Sequence, residues 1–246
     1  MRLDQAIAAR HPDISRRRAR ELIAARRVLV NERVVSIASR EVAASDRIAV
    51  ADDVPDISVI GESDDWVAID KPVGMPTQPA RDRRQLSLEE LLRLRFREIW
   101  LVHRLDTPTS GIVLFAKSPE AAARLSALFA VGQIRKTYLA ILEGELREER
   151  FLETPVQGKI ARTMFRPQRS DGLTTTVEVV IETGRTHQIR IHAESIGHPV
   201  VGDRRYGSGA KAKGLMLHAW KLEHVSFGAL EAPPPTSFSF ALPIPR

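Results

Sequence analysis

The stretch LVHRLDTPTSGIVLFAK, Leu101 to Lys117, gathers groups able to do chemistry: an imidazole at His103, a guanidinium at Arg104, a carboxylate at Asp106, and hydroxyls at Thr107, Thr109 and Ser110. They lie between two apolar runs, one beginning at Leu101 and the other spanning Ile112 to Phe115, while Pro108 and Gly111 mark a turn. Asp106 is therefore expected on a loop held by two buried strands. A carboxylate so held can serve as a nucleophile or a base, because the scaffold fixes its geometry while the loop stays open to substrate. The same residues also suit a plain turn, in which short polar side chains satisfy backbone groups.

A second dense segment is TGRTHQIRIHAESIGHPVVGDRRYG, Thr183 to Gly207. Ile189, Ala193 and Ile196 recur at helical spacing, which predicts a helix from His187 to Ile196 stopped by Gly197. Counting His218, four of the chain's seven histidines fall in or near it. Their spacing is not that of a zinc helix, no cysteine contributes, and a third carboxylate ligand is not evident, so no metal and no other cofactor is expected.

HRLDTPTSG resembles the R-L-D-x-x-T-S-G signature of the RluA-type pseudouridine synthases, which isomerise uridine to pseudouridine within RNA. Other segments match that family in order. DKPVG, with Lys71, resembles its D/N-K-P-x-G element; Lys136 and Tyr138 match its K-x-Y; GRTHQIR, with Arg185, His187 and Arg190, matches its G-R-T-H-Q-I-R; and Leu217, His218 and Ala219 match its closing L-H-A. The resemblance implies that Asp106 is catalytic, that Arg190 pairs with it and keeps it ionised, and that Tyr138 packs on a flipped base. It further implies that Arg104 fills the gap the base leaves, with Lys71, Arg185 and His187 on the RNA side. Hydrolysis of a sugar bond ordinarily takes two carboxylates, whereas these motifs supply one carboxylate and one arginine. A small-molecule hydrolase and a fold-sharing RNA binder without catalysis are the rival readings.

Charge sets the start of the chain apart. Residues 1–51 hold 11 Arg and no Lys against 6 acidic residues, whereas the remaining 26 basic and 25 acidic residues nearly cancel. Leu3, Ala6 and Ile7 predict one helix, ended near Pro12 and Asp13. Ser15 predicts the cap of a second, running from Arg16 to Arg26 with Ala19, Leu22 and Ile23 on its buried face. Arg16, Arg17, Arg18 and Arg20 crowd the first turns of that second helix, where cations oppose the helix dipole, so an external polyanion is the expected counter-charge. VLVNERVV predicts a hairpin and Arg47 to Val50 a closing strand. This order resembles the S-four RNA-binding domain, although Arg27, Glu32 and Ser45 stand where that family commonly has glycine.

The fold class expected is α+β: a small N-terminal α+β module over residues 1–51, a joint over 52–56 marked by Asp52, Asp53, Pro55 and Asp56, and a catalytic domain over 57–246 built on a mixed, mainly antiparallel sheet with flanking helices. Strands are predicted at Ile57 to Ile60, Trp66 to Ile69, Ile134 to Gly144 and Thr174 to Ile181, with helices after the Ser87–Glu90 capping box and after Ser118. No cysteine means no disulfide and no thiolate chemistry, and no apolar run approaches a membrane span. A cytoplasmic monomer acting on ribosomal RNA or tRNA, with no membrane partner, is the expectation.

Overall fold

The computed structural model describes residues 1–31, 33–50, 57–79, 86–96, 98–207, 212 and 214–238. The expected joint at 52–56, and Glu32, lie outside them. Backbone contacts divide the chain into two units, one comprising Met1–Asp56 with Gln78–Trp100 and the other Ile57–Thr77 with Leu101–Arg246.

The first unit begins with α1 (Leu3–Arg10) and α2 (Arg16–Ala24). Ser15 caps α2 by accepting from the Arg18 backbone N–H, and Ala19, Leu22 and Ile23 are buried with Leu3, Ile7 and Val28 in one core. Strands β1 (Val28–Val30), β2 (Arg33–Val34) and β3 (Ile48–Val50) form an antiparallel sheet in the order β2-β1-β3. Just before two of the positions where glycine is missing, Arg27 and Glu32, the chain takes positive φ without it: Arg26 at 60° closes α2, with the Arg27 N–H reaching Leu22 O, and Asn31 at 49° turns the hairpin. Asn31 is held there by accepting from the Arg47 N–H and donating to Asp46, each at 2.9 Å.

The second part of this unit is α3 (Leu88–Arg95), opened by the Ser87–Glu90 capping box. Sequence order alone put α3 with the catalytic domain, whereas its contacts join it to the N-terminal residues. It packs near β2, and Arg47 reaches the buried Glu90 carboxylate at 2.6 Å. A buried carboxylate needs a cation, and the first unit supplies it.

The second unit is built on one sheet, in the order β4-β5-β7-β12-β8-β11-β10-β9. These strands are β4 (Ser58–Glu62), β5 (Trp66–Lys71), β7 (Ser110–Ala116), β8 (Arg135–Glu143), β9 (Arg150–Val156), β10 (Lys159–Ser170), β11 (Thr174–Ile181) and β12 (Leu217–His224). Short β6 (Trp100–Leu101) and β13 (Gly228–Glu231) pair β7 and β12. Every pairing whose register is resolved is antiparallel except β7 with β12, so the sheet is mixed and mainly antiparallel. All seven residues of β7 are buried, as a central strand of Ile, Val, Leu and Phe requires. Helix α4 (Pro119–Ala130) packs beside β7, and α5 (Gln188–Ser195) lies against β9 and β10. The fold is α+β, as expected. The hairpin β9–β10 was not foreseen, because RTMFRPQRS mixes charges and a proline into its outer half and blurs the period-two signal.

Candidate active site

Asp106 sits on the loop leading into β7, and that loop is fastened on both sides of it. Before it, the Thr77 hydroxyl donates to Leu105 O at 2.8 Å and accepts from the Leu105 N–H at 3.2 Å. After it, the Thr107 carbonyl accepts from the Gly74 N–H at 2.9 Å and from Lys71 Nζ at 3.3 Å. Lys71 also donates to Met75 O at 2.8 Å and Pro72 O at 3.1 Å, and it is fully buried. Lys71 was expected on the RNA side, and the structure corrects that: its three acceptors are backbone carbonyls. Burial pulls its pKa down to about 7, against the attraction of Asp106 and Asp70. The segment Lys71 to Thr77 is thus a brace for the loop that carries Asp106.

The remaining letters of the signature serve the junction of β7 with β12. Gly111 has φ of 107°, and a Cβ there would collide with the backbone of Ala219, its parallel partner. Ser110 bonds His218 Nδ1 at 2.9 Å, while His218 Nε2 meets Ala232 O at 3.2 Å. His218 therefore donates to the carbonyl and accepts from the serine, and burial lowers its pKa to about 4, so it stays neutral. His103 accepts the Leu114 N–H at 2.9 Å and stacks on Phe129 at 4.2 Å; burial and the nearby Lys136 hold its pKa at about 3. Neither histidine is placed for proton transfer at neutral pH.

Helix α5 supplies the other wall. His187 caps it in the left-handed region, φ 59°, and the buried Gln188 side chain uses both ends: its oxygen accepts from the Thr183 hydroxyl and the Arg185 N–H, and its nitrogen donates to Arg162 O and the Thr163 hydroxyl. Two turns are thereby locked to β10. Arg190, 6% exposed, points its guanidinium two ways. Nε and Nη2 meet the Asp203 carboxylate at 2.6 and 2.8 Å, and Nη1 lies 3.6 Å from Asp106 Oδ2. Arg190, expected to pair with Asp106, is therefore shared, and Asp203 takes the planar fork.

Asp203, buried at 1% exposure, also accepts the Arg205 and Tyr206 N–H groups at 2.9 and 3.1 Å. Burial raises its pKa, but the Arg190 and backbone hydrogen bonds outweigh that and hold it below the usual value. His187 Nδ1 bonds Tyr206 OH at 2.9 Å, and its Nε2 is 3.6 Å from Asp106 Oδ2. Burial and Arg190 press the His187 pKa down against the pull of Asp106, which favours the neutral ring. Sequence reasoning gave Asp203 and Tyr206 no role, although GDRRYG closes the segment quoted from Thr183 to Gly207.

Asp106, Arg104, Tyr138, Arg185, His187 and Arg190 line one cavity of about 160 Å³. Tyr138 comes from β8, and burial with the nearby Asp106 raises its pKa, so it presents a neutral phenol ring. Arg104 and Arg185 are exposed at the rim. Among the described residues no group of three or more His, Cys, Asp or Glu is placed to hold a metal ion, and no helix is long and apolar enough to cross a membrane.

In the first unit, Arg16 and Arg20 reach Asp4 at 3.3 and 2.9 Å, and Arg2 joins them at 3.2 Å. Burial raises the Asp4 pKa, but the bonds from Arg20 and Arg16 lower it further than burial lifts it. Arg17 and Arg18 pair with Glu21 at 3.2 and 3.4 Å. The crowded arginines, for which an external polyanion was the expected counter-charge, thus also have partial counter-charges inside the protein. All four remain largely at the surface.

Comparison with known proteins identifies the family. The family model described as RNA pseudouridylate synthase matches residues 65–195, and the S4 domain matches residues 1–48. Ribosomal large subunit pseudouridine synthase D of Salmonella typhimurium is 31% identical over 237 residues, covering 84% of this chain and 72% of that protein. An uncharacterized protein of Caenorhabditis elegans is 37% identical over 176 residues, 63% of this chain, which spans only 40% of that protein's length. The solved structure of human RNA Pseudouridylate Synthase Domain Containing 1 superposes with TM-score 0.64 at 27% identity, covering 76% of this chain and 87% of that one. The braced carboxylate loop, the arginine of α5 and the strand tyrosine thus stand within a matched family, and the chain belongs to the RNA pseudouridine synthases, isomerases of uridine in RNA, with an S-four domain at its N-terminus.

Proposed function

We propose that the protein isomerises specific uridines in structured RNA, ribosomal RNA or tRNA, with Asp106 as the catalytic nucleophile or base. The observation that carries this is the convergence on one cavity of a braced carboxylate, a buried arginine 3.6 Å from it and a neutral tyrosine ring. In the reaction the bond from N1 to C1′ breaks, C5 bonds to C1′, the C5 proton leaves and N1 gains a proton. Asp106 attacks the sugar or removes its proton, Arg190 holds the carboxylate in place, and Tyr138 lies against the turning base. The base must leave its stack to enter so small a cavity, and Arg104 at the rim takes its place. The relative named for the large ribosomal subunit favours ribosomal RNA as the substrate. One chain supplies the residues proposed for the site, which suits a monomer, and an RNA substrate suits a cytoplasmic protein.

The test is Asp106→Asn. It keeps the volume and most hydrogen bonding of the side chain but cannot supply a carboxylate. Single-turnover tritium release from RNA labelled at C5 of uridine should vanish, while filter-binding affinity stays within a few fold. Turnover by a correctly folded Asn variant would remove Asp106 from the chemistry.

A further inference from the structure

Among the described residues the second unit buries two lysines, and they are treated differently. Lys71 has three carbonyl acceptors at 2.8 to 3.3 Å. Lys136, on β8 and 6% exposed, meets one acceptor among the described residues, Glu182 O at a long 3.4 Å. An ammonium has three donors, and leaving donors buried without acceptors is costly. Lys136 lines a second cleft, of about 560 Å³, which shares Arg104, Tyr138 and Arg185 with the Asp106 cavity. Lys136 and Tyr138 are two apart on one strand and so face the same side of the sheet.

The charges on this cleft do not balance. Arg104, Lys136, Arg162 and Arg185 line it against Glu182, the one carboxylate among the described lining residues; Arg162 also bonds Glu153, outside the lining, at 2.8 Å, which leaves Arg104, Lys136 and Arg185 as the cations in excess. The Glu182 carboxylate is 62% exposed and lies 3.7 Å from Arg162, leaving Lys136 without an acidic partner among the described lining residues. Burial and the Arg185 charge both disfavour the Lys136 ammonium. The neutral His103, stacked on Phe129, closes the inner side without adding a charge. An anion entering here would satisfy the spare donors and relieve the repulsion together.

We propose that Lys136, with Arg185, binds a phosphodiester of the RNA next to the target uridine, so that one strand wall grips the backbone while Tyr138 takes the base. This rests on the RNA isomerase assignment of the neighbouring cavity. A phosphate held beside the base pocket fixes the register of the flipped nucleotide, which base contacts alone leave loose.

The experiment uses the full chain, its Lys136→Met variant and, as a control, Lys221→Gln on β12. The probe is total RNA from a strain lacking the gene, tritiated at C5 of uridine, with filter binding followed from low to high salt. Lys136→Met should weaken binding roughly ten-fold at low salt and flatten the plot of log affinity against log salt by about 0.7 to 0.9, the share of one phosphate. Lys221→Gln should leave the slope unchanged, and the Met variant should unfold in urea no earlier than the parent. An unchanged slope for Lys136→Met, or an equal flattening by Lys221→Gln, overturns the proposal. Absence of tritium release by the parent overturns the isomerase assignment, while the salt slope still reports on phosphate binding at Lys136.

Discussion

Arg190 gives the planar fork of its guanidinium to Asp203, at 2.6 and 2.8 Å, and reaches Asp106 only with Nη1 at 3.6 Å. Asp203 is therefore the group that sets where Arg190 points. It is itself fixed by the backbone N–H groups of Arg205 and Tyr206, so a turn after α5 determines the direction of a charge facing the loop that carries Asp106.

Asp203→Asn should cut single-turnover rate by about a hundred-fold, the scale of a modest misplacement in an active site, with little change in RNA affinity. Asp203→Ala should in addition destabilise the fold by about 3–5 kcal/mol, because it leaves a buried guanidinium short of its counter-charge. Urea unfolding beside tritium release separates the two effects. Equal rates for Asp203→Asn and the parent would show that Arg190 orients without it.

Lys71 makes stability depend on pH in a defined direction. Its folded pKa, about 7, lies below the ordinary 10.5, so the unfolded chain binds more protons between those values. Stability should therefore rise with pH from about 7 toward 10.5 through this group. Lys71→Met removes the titration, and the difference between parent and variant in urea midpoint should change across that window and be flat below it. Parallel curves for the two proteins would mean that Lys71 does not titrate there. The same variant should lose turnover, since the Thr107 carbonyl beside Asp106 loses one of its two donors.

The arginines of α2 are best tested by substitution. Deleting residues 1–51 would strip Glu90 of Arg47 and α3 of its packing near β2. Arg17→Gln with Arg18→Gln leaves the Asp4 cluster intact and should flatten the salt dependence of RNA binding by about 0.7 to 0.9 for each phosphate these side chains neutralise. An unchanged slope would locate RNA binding away from these two residues.

Gly111→Ala tests whether the last letter of the signature serves the fold. A methyl there meets the Ala219 backbone and requires a φ of 107°. A loss of about 2 kcal/mol or more is expected in urea unfolding. Parent-like stability would show that β7 and β12 can separate at that point.

Much of this protein was determined by sequence alone because the responsible interactions are local. The Ser15 and Ser118 caps, the Ser87–Glu90 box, the buried run of β7 and the helical spacing of Ile189 and Ala193 each involve residues a few positions apart, and the structure forms them within one or two residues of expectation. The motif residues Asp106, Tyr138, Arg185, His187 and Arg190, far apart in the chain, were legible as one set through the family resemblance, and they line one cavity. Tertiary structure decided which neighbours each charge received. Lys71 looked exposed beside a proline loop, yet it is fully buried because Thr107, 36 residues later, brings a carbonyl to it. Asp4, in the first turn of α1, gains Arg16 and Arg20 as partners only through the packing of α1 with α2. Asp203 took the fork of Arg190 because a tight turn aims its carboxylate back at α5. Propensity and periodicity act over single turns, whereas the cost of burying a charge is met only by a partner that the completed fold brings within a few ångströms.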